Sequence, residues 1–377
     1  MTDSTAINLT TPKQSLLDIS VLIQNHREST NDTNINAFNK LCAFNKANPN
    51  TKKLYRQMQS WKLKNNLADD VFYPMSEMMD NLAPIEKLFW LNPANHGLPE
   101  NEIDARFTNF VWQLHTFGAW RNTLGIYRID PDLYEQAISS PIPKETPTSI
   151  FSRLPEWCVY LQLPVENAIP TFNNGIASLV VGFWTLFDIE YIDDIKRKVL
   201  HIFFDTVQLE NTPFQLIPPI RLIIEEGVSV EESFLKDYTP IDGIDETEQA
   251  VLRNQTIKQN MGLLSLLLML CAEEPDISNI NGESVTSEQM RMPKYGRHKK
   301  TGAFVPPSQP KVYDIGKRLG GEVRQFNKEY GQTDSRISSR KRPHIRRGHW
   351  HGVWKGTGQD KQFSIYWQPA IFVNTRI

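Results

Sequence analysis

Residues 157–163 (WCVYLQL), 176–189 (IASLVVGFWTLFDI) and 199–207 (VLHIFFDTV) decide the fold of this chain. They are dense in β-branched and aromatic side chains, which suit a pleated surface buried on at least one face. Pro164, Asn173-Asn174-Gly175 and Asp193-Asp194 bound them, so they read as strands joined by turns in a mostly antiparallel sheet.

Outward from that sheet the period changes. Upstream, Phe38, Leu41, Cys42, Phe44, Leu54, Met58 and Trp61 recur at three- and four-residue intervals. This predicts amphipathic helices over about 34–67, broken at Asn48-Pro49-Asn50. Further helices are expected over about 75–91 and 102–117, the latter with Phe107, Phe110, Val111 and Leu114 on one stripe. YRIDPD (127–132) ends in a turn, and SSPIPKETPTSI (139–150), with three prolines, reads as a linker. Downstream, 246–272 returns to helix. Its most apolar run, MGLLSLLLMLC (261–271), is far short of the roughly 20 residues a bilayer demands, so it is expected to be a core helix.

Beyond about Gly282 the chain turns polar and basic. YGRHKKTGAFVPPSQPK (295–311) reads as an extended connector, and VYDIGKRLGGEVRQFNKEY (312–330) as helix–turn–helix or strand–turn–helix. HWHGVWKG (349–356) and FSIYWQPAIFV (363–373) flank Gly356-Thr357-Gly358-Gln359-Asp360, a hairpin signal. The order gives an α+β fold: an N-terminal helical region, a central mostly antiparallel sheet with a packed core helix, and a C-terminal basic β-hairpin module. The expected divisions are 1–35, a polar and flexible extension adding little to the core; 36–145, helical; 146–282, α+β; and 283–377, the basic module.

Cys42, Cys158 and Cys271 lie far apart and form no CxxC pair, which argues against a disulfide framework or thiolate zinc site and fits a reducing cytoplasm. The polar start (MTDSTAINLTTPKQ) carries no leader-like apolar stretch, so a soluble cytoplasmic protein is expected. No Walker loop, GxGxxG, HExxH, GxSxG or EF-hand pattern occurs, and no cofactor or metal is expected.

Charge is distributed unevenly. Residues 291–355 hold 17 Lys/Arg against 4 Asp/Glu, while residues 1–290 hold 22 against 38. A basic tail on an acidic body points to a polyanionic partner, or to a tail that docks on its own body. Within the tail, Arg342, His344, Arg346, Arg347, His349, Trp350, His351 and Lys355 combine cations, imidazoles and indoles. Three chemistries suit them. The cations can neutralise phosphates while Trp and His stack on unpaired bases. The His349-x-His351 pair can contribute to a metal site, although no further ligand stands nearby. His344, His349 and His351 can act as acid and base in metal-independent RNA cleavage. A terminal hairpin also needs an apolar face, so at least one Trp is expected in the core. On a strand, Trp350, Gly352 and Trp354 share one side and His349, His351 and Val353 the other.

A second constellation lies upstream. Trp120, Arg121, Asn122 and Tyr127, with Trp157 nearby, mix an aromatic anchor with polar groups among small residues, as a peptide-gripping pocket does. The competing reading is a glycine-permitted bend inside a helical core.

Eight stretches together resemble a known family: NAFNK (36–40), YRQMQSW (55–61), FGAWRNTLGIY (117–127), TPTSIF (146–151), LPEWCVY (154–160), KKTGAFV (299–305), KRPHIRRGHWHGVWKGTGQ (341–359) and WQPAIFVN (367–374). The sequence is similar to an anti-CRISPR family of type V-A systems, carried by phages and other mobile elements. The resemblance implies a protein that lowers the level of the type V-A effector nuclease. It would recognise the nuclease's N-terminal peptide on the translating ribosome and trigger loss of the mRNA, possible partners including host RNA-decay machinery, with no membrane involved. On that expectation Trp120, Arg121, Asn122, Tyr127 and Trp157 read the peptide and the basic tail meets RNA or ribosome. Direct cleavage by the tail and direct inhibition of the folded nuclease are the alternatives.

Overall fold

The structure, a computed structural model, describes residues 13–29, 36–65, 71–173, 176–192, 194–209, 216–237, 243–290, 304–330, 344–369 and 371–373. In chain order the elements begin with helices α1 (Lys13–Ser29), α2 (Asn36–Ala47), α3 (Thr51–Asn65), α4 (Met75–Met79), α5 (Leu82–Trp90) and α6 (Glu100–Trp120). Strand β1 (Gly125–Ile129), helix α7 (Pro131–Ile138) and strands β2 (Cys158–Gln162), β3 (Ile169–Asn173), β4 (Ile176–Ile192), β5 (Ile195–Gln208) and β6 (Ile220–Ile224) follow. Then come α8 (Val230–Asp237), α9 (Glu246–Cys271), β7 (Ile277–Asn279), α10 (Ser287–Met290), β8 (Lys311–Ile315) and α11 (Lys317–Tyr330). The chain closes on β9 (His344–Arg346), β10 (His349–Lys355), β11 (Gln362–Gln368) and β12 (Ile371–Val373). The fold is α+β.

The chain divides into two interleaved units: Met1–Ile126 with Pro155–Ile224 and Arg291–Lys311, and Tyr127–Leu154 with Glu225–Met290 and Val312–Ile377. These bounds differ from the contiguous divisions expected at 35, 145 and 282. The chain crosses between units several times, which no local change of composition signals.

In the first unit β4 and β5 form the long antiparallel pair, from Ile192↔Ile195 out to Ser178↔Gln208. β4 is buried along most of its length and β5 from Val199 to Phe203, which is why these stretches read as near-continuous apolar runs rather than alternating ones. β6 pairs with β5, and β2 and β3 pair with β4. Helix α6 packs on this sheet. Its Gly118 stays helical against Tyr55 and Met58 of α3, so the expected bend is not there. The chain turns at 121–124 instead, where buried Leu124 takes a positive φ of 53°. That is an uncommon conformation for a residue with a Cβ. The Leu124 N–H donates to the Trp120 carbonyl at 2.8 Å, closing the helix.

The expectation of a polar N-terminus adding little to the core is corrected for the described part. Ile19 and Leu22 of α1 are buried with Ala168, Leu179 and Val181 of the sheet unit. Residues 1–12 and 30–35 lie outside the described residues.

In the second unit α9 is capped by Asp245, whose carboxylate accepts from the N–H groups of Thr247 (2.8 Å) and Glu248 (2.9 Å). Its half from Gly262 to Cys271 is buried throughout, the core helix that the apolar run predicts. The 312–330 segment settles as strand–turn–helix. Gly316, at φ 73°, makes the turn from β8 into α11 under the side chain of Leu133, a backbone conformation that favours glycine. No helix among the described residues is long and apolar enough to cross a membrane.

Candidate functional site

The first unit holds a cleft of about 570 Å³ walled by α2, α5, α6 and the β4–β5 pair. Its wall is aromatic: Phe44, Phe110, Phe117, Trp184 and Phe203 line it. Phe44 meets Phe110 (5.5 Å between ring centroids) and Phe117 (5.2 Å), and Phe117 meets Trp184 edge-on at 5.5 Å. Amide side chains from Asn92, Asn95, Asn109 and Gln113 stand among these rings. At one side Asp205, fully buried, accepts from the Tyr160 hydroxyl at 2.7 Å and is paired with Lys40. Burial and the adjacent Asp205 push the Tyr160 phenol well up, so it stays a proton donor.

Three residues of its lining each bury a polar atom with no hydrogen-bond partner among the described residues: Asn48 Oδ1, Thr116 Oγ1 and Trp184 Nε1. Most buried polar atoms are satisfied, and each exception calls for an explanation. The groups that face the cleft, aromatic rings with half-buried amides among them, suit an extended main chain with apolar side chains.

The expected peptide residues lie one layer behind this surface or apart from it. Trp120 is fully buried, donates from its indole to the Gly125 carbonyl at 2.9 Å, and packs on Trp184 with 6.1 Å between rings. Asn122 is also buried. It donates to the Gly118 (2.8 Å) and Ala119 (3.1 Å) carbonyls and accepts from Gln59, so it finishes α6. Arg121 lies over the Tyr55 ring at 4.8 Å, and burial lowers its pKa from the usual guanidinium range. Trp157 is packed between Phe304 and Phe72, with Lys62 over its ring. Tyr127 stacks on Tyr313 in the second unit. The five do not form one open pocket. Sequence reading found the support and missed the wall, because Trp184 and Phe203 sit inside apolar strand runs where nothing distinguishes a cleft-lining ring from a core one.

The C-terminal segment forms the expected hairpin. β10 pairs with β11 in the register Trp350↔Trp367, Gly352↔Ile365, Trp354↔Phe363, which puts these six on one face. That face docks. Trp350 is buried and donates from its indole to Ser265 Oγ at 2.7 Å, and Ser265 donates on to the Ala137 carbonyl at 2.6 Å. Gly352 has no side chain, and the ring of Phe363 covers it. Arg153 adds a bond to the Phe363 carbonyl (2.8 Å) while paired with Glu273 (2.7 Å).

Trp350 is therefore a core anchor, a correction to its expected place on an RNA surface. Trp354, at the far end of the same face, is 49% exposed. On the opposite face His349 is half-buried, and His351 and Lys355 are exposed, with Lys355 lying over the Tyr366 ring at 4.8 Å. Arg347 is exposed just before the strand. The backbone of His344 and Arg346 belongs to β9, paired with β12, and Arg342 lies outside the described residues.

Fold and site together define an α+β protein of two interleaved units, with an aromatic-walled cleft in one and a docked, cation-bearing hairpin in the other. The chain belongs to the Anti-CRISPR type V subtype A2 (AcrVA2-like) family, whose model matches residues 127–375. It is similar to the crystal structure of AcrVA2, with 38% identity and a TM-score of 0.69 over 90% of this chain and 99% of that one. It is also similar to Protein FinQ of Escherichia coli, 24% identical over 277 residues, or 68% of this chain and 74% of FinQ.

Proposed function

We propose that the chain lowers the level of a type V-A CRISPR nuclease by reading the nuclease's N-terminal peptide on the translating ribosome and causing loss of the message. The observation that carries the peptide-reading half is the cleft of the first unit. Its aromatic wall takes apolar side chains, and the half-buried amides of Asn109 and Gln113 offer hydrogen bonds to an extended peptide. Trp120, Arg121 and Asn122 act from behind by fixing the end of α6, the helix that presents Asn109 and Gln113. Trp157 and Tyr127 are core supports of the elements on either side.

The message or ribosome is assigned to the outward face of the hairpin and the segment before it: Arg342, His344, Arg346, Arg347, His349, His351 and Lys355. Trp350 keeps that face in place. Host nucleases, acting in the cytoplasm, degrade the message; the chain itself binds.

Two reporters test this. One carries the opening codons of the nuclease; the other carries the same nucleotides with a compensated frameshift, so that the RNA is nearly unchanged and the peptide is not. Message loss confined to the first reporter is expected, and equal loss from both sinks the reading. Asn109→Ala and Gln113→Ala, at half-buried positions of the cleft lining, should each weaken calorimetric binding of the synthetic N-terminal peptide at least tenfold without moving the melting temperature.

A further inference from the structure

Strand β4 carries Asp188 and Glu190, and β5 returns beside it with His201. The register pairs Leu186 with His201 and Asp188 with Val199, so all three side chains fall on one face of the sheet. One donor atom from each lies within 4.8 Å of the others. His201 Nε2 is 2.8 Å from Glu190 Oε1 and 3.8 Å from Asp188 Oδ2.

The surroundings orient each donor. Asp188 is fully buried, and its Oδ1 accepts the N–H groups of Ile189 (2.7 Å) and Met75 (2.9 Å). Oδ2 is left aimed at His201 with no hydrogen-bond partner among the described residues. A buried carboxylate oxygen is costly unless it is hydrogen-bonded, ion-paired or metal-bound. Glu190 gives Oε2 to Arg221 at 2.8 Å, which leaves Oε1 facing the cluster.

We propose that Asp188, Glu190 and His201 form a site for a divalent transition-metal ion, zinc by chemical class, with the fourth position of the tetrahedron left to water. Mixed nitrogen and carboxylate donors suit zinc, whose ligands sit about 2.0–2.2 Å from the ion and so roughly 3.4 Å apart in a tetrahedron. The separations of 2.8 and 3.8 Å bracket that figure. A calcium site calls for six to eight oxygens and no imidazole. Binding takes His201 at Nε2, so its ring then carries its proton on Nδ1. The ion clips β4 to β5 next to Phe203, which the His201 ring meets at 5.6 Å. This site stands independently of the peptide reading.

The test uses the full-length chain without a polyhistidine tag, treated with chelator and then titrated with zinc chloride alone by calorimetry. One equivalent should bind and raise the melting temperature. Substituting cobalt(II) should give the visible absorption of a four-coordinate site. Glu190→Gln, at a partly exposed position that spares the fold, and His201→Gln should each weaken binding at least tenfold. Asp188→Asn, equal in shape, provides a third arm should His201→Gln lower the melting temperature of the metal-free protein. A His349→Gln, His351→Gln double variant should bind as the wild type does. Absence of stoichiometric binding, binding that survives both Glu190→Gln and His201→Gln, or binding lost with the hairpin histidines would overturn the proposal.

Discussion

Trp120 and Trp184 touch through their rings, yet only Trp184 lines the cleft, and on the proposed reading this one-layer difference separates stability from recognition. Trp120→Ala should cost about 3–5 kcal/mol, as truncation of buried aromatics does. Any loss of peptide affinity in that variant would then report a damaged fold. Trp120→Phe keeps most of the volume and loses the bond to the Gly125 carbonyl, for roughly 1–2 kcal/mol; urea unfolding measures both. A single sequence cannot order two tryptophans by depth, since both are aromatic residues in apolar stretches. A polar outlier is more legible in hindsight. Lys198 is partly buried over the Phe187 ring at 4.0 Å, and desolvation pushes its pKa down to about 8. Folding thus releases a proton between about pH 8 and the ordinary lysine value near 10.5, and stability rises with pH across that window. Melting temperatures taken from pH 7.5 to 10 should climb in the wild type, and that component of the slope should vanish in Lys198→Met.

Elements were more legible than residues where one strong period ruled. The stripe of Phe107, Phe110, Val111 and Leu114 announced α6, and the Gly356–Asp360 turn announced the hairpin, because both signals are local. Helix α1 gave no such warning. Its apolar residues crowd between Leu16 and Ile23 in a polar surround, and they matter because Ile19 and Leu22 meet a sheet whose strands lie about 150 residues further on. Leu22→Ala should cost about 2–5 kcal/mol for that reason, where a solvated helix would lose almost nothing; denaturant midpoints distinguish the two. The hairpin's attachment was likewise hidden, since Ser265 sits in an apolar helix with no sign that it receives an indole. Ser265→Ala leaves the Trp350 N–H buried without an acceptor, at a cost of about 1–3 kcal/mol. Hydrogen exchange should then speed up in β10 and β11. Unchanged protection there would mean that Glu273 and Arg153 alone hold the strands.

At the scale of the whole molecule the charge asymmetry becomes a division of labour. The cleft is closed by rings and amides, and its cations are paired within the unit, Lys40 with buried Asp205 and Arg106 with Glu102. The hairpin's outward face instead offers Arg347 and Lys355 to solvent. On the proposed reading these two surfaces answer to different physics. Peptide binding rests on apolar burial and hydrogen bonds, so its affinity should change little between low and physiological salt. Association with ribosome or message rests on phosphate neutralisation, which releases counterions and falls steeply as salt rises. Replacing Arg347 by Gln should therefore flatten the dependence of log affinity on log salt by about 1 for each phosphate contact removed, with a further reduction for Lys355→Gln. Neither change should alter calorimetric binding of the peptide. Polysome cosedimentation at several salt concentrations measures the first quantity on the same preparations. If the slope stays as in the wild type while message loss continues, the hairpin's cations solvate the surface and the ribosome is met elsewhere. If the slope and message loss fall together with peptide affinity intact, recognition and delivery are separable acts of one chain.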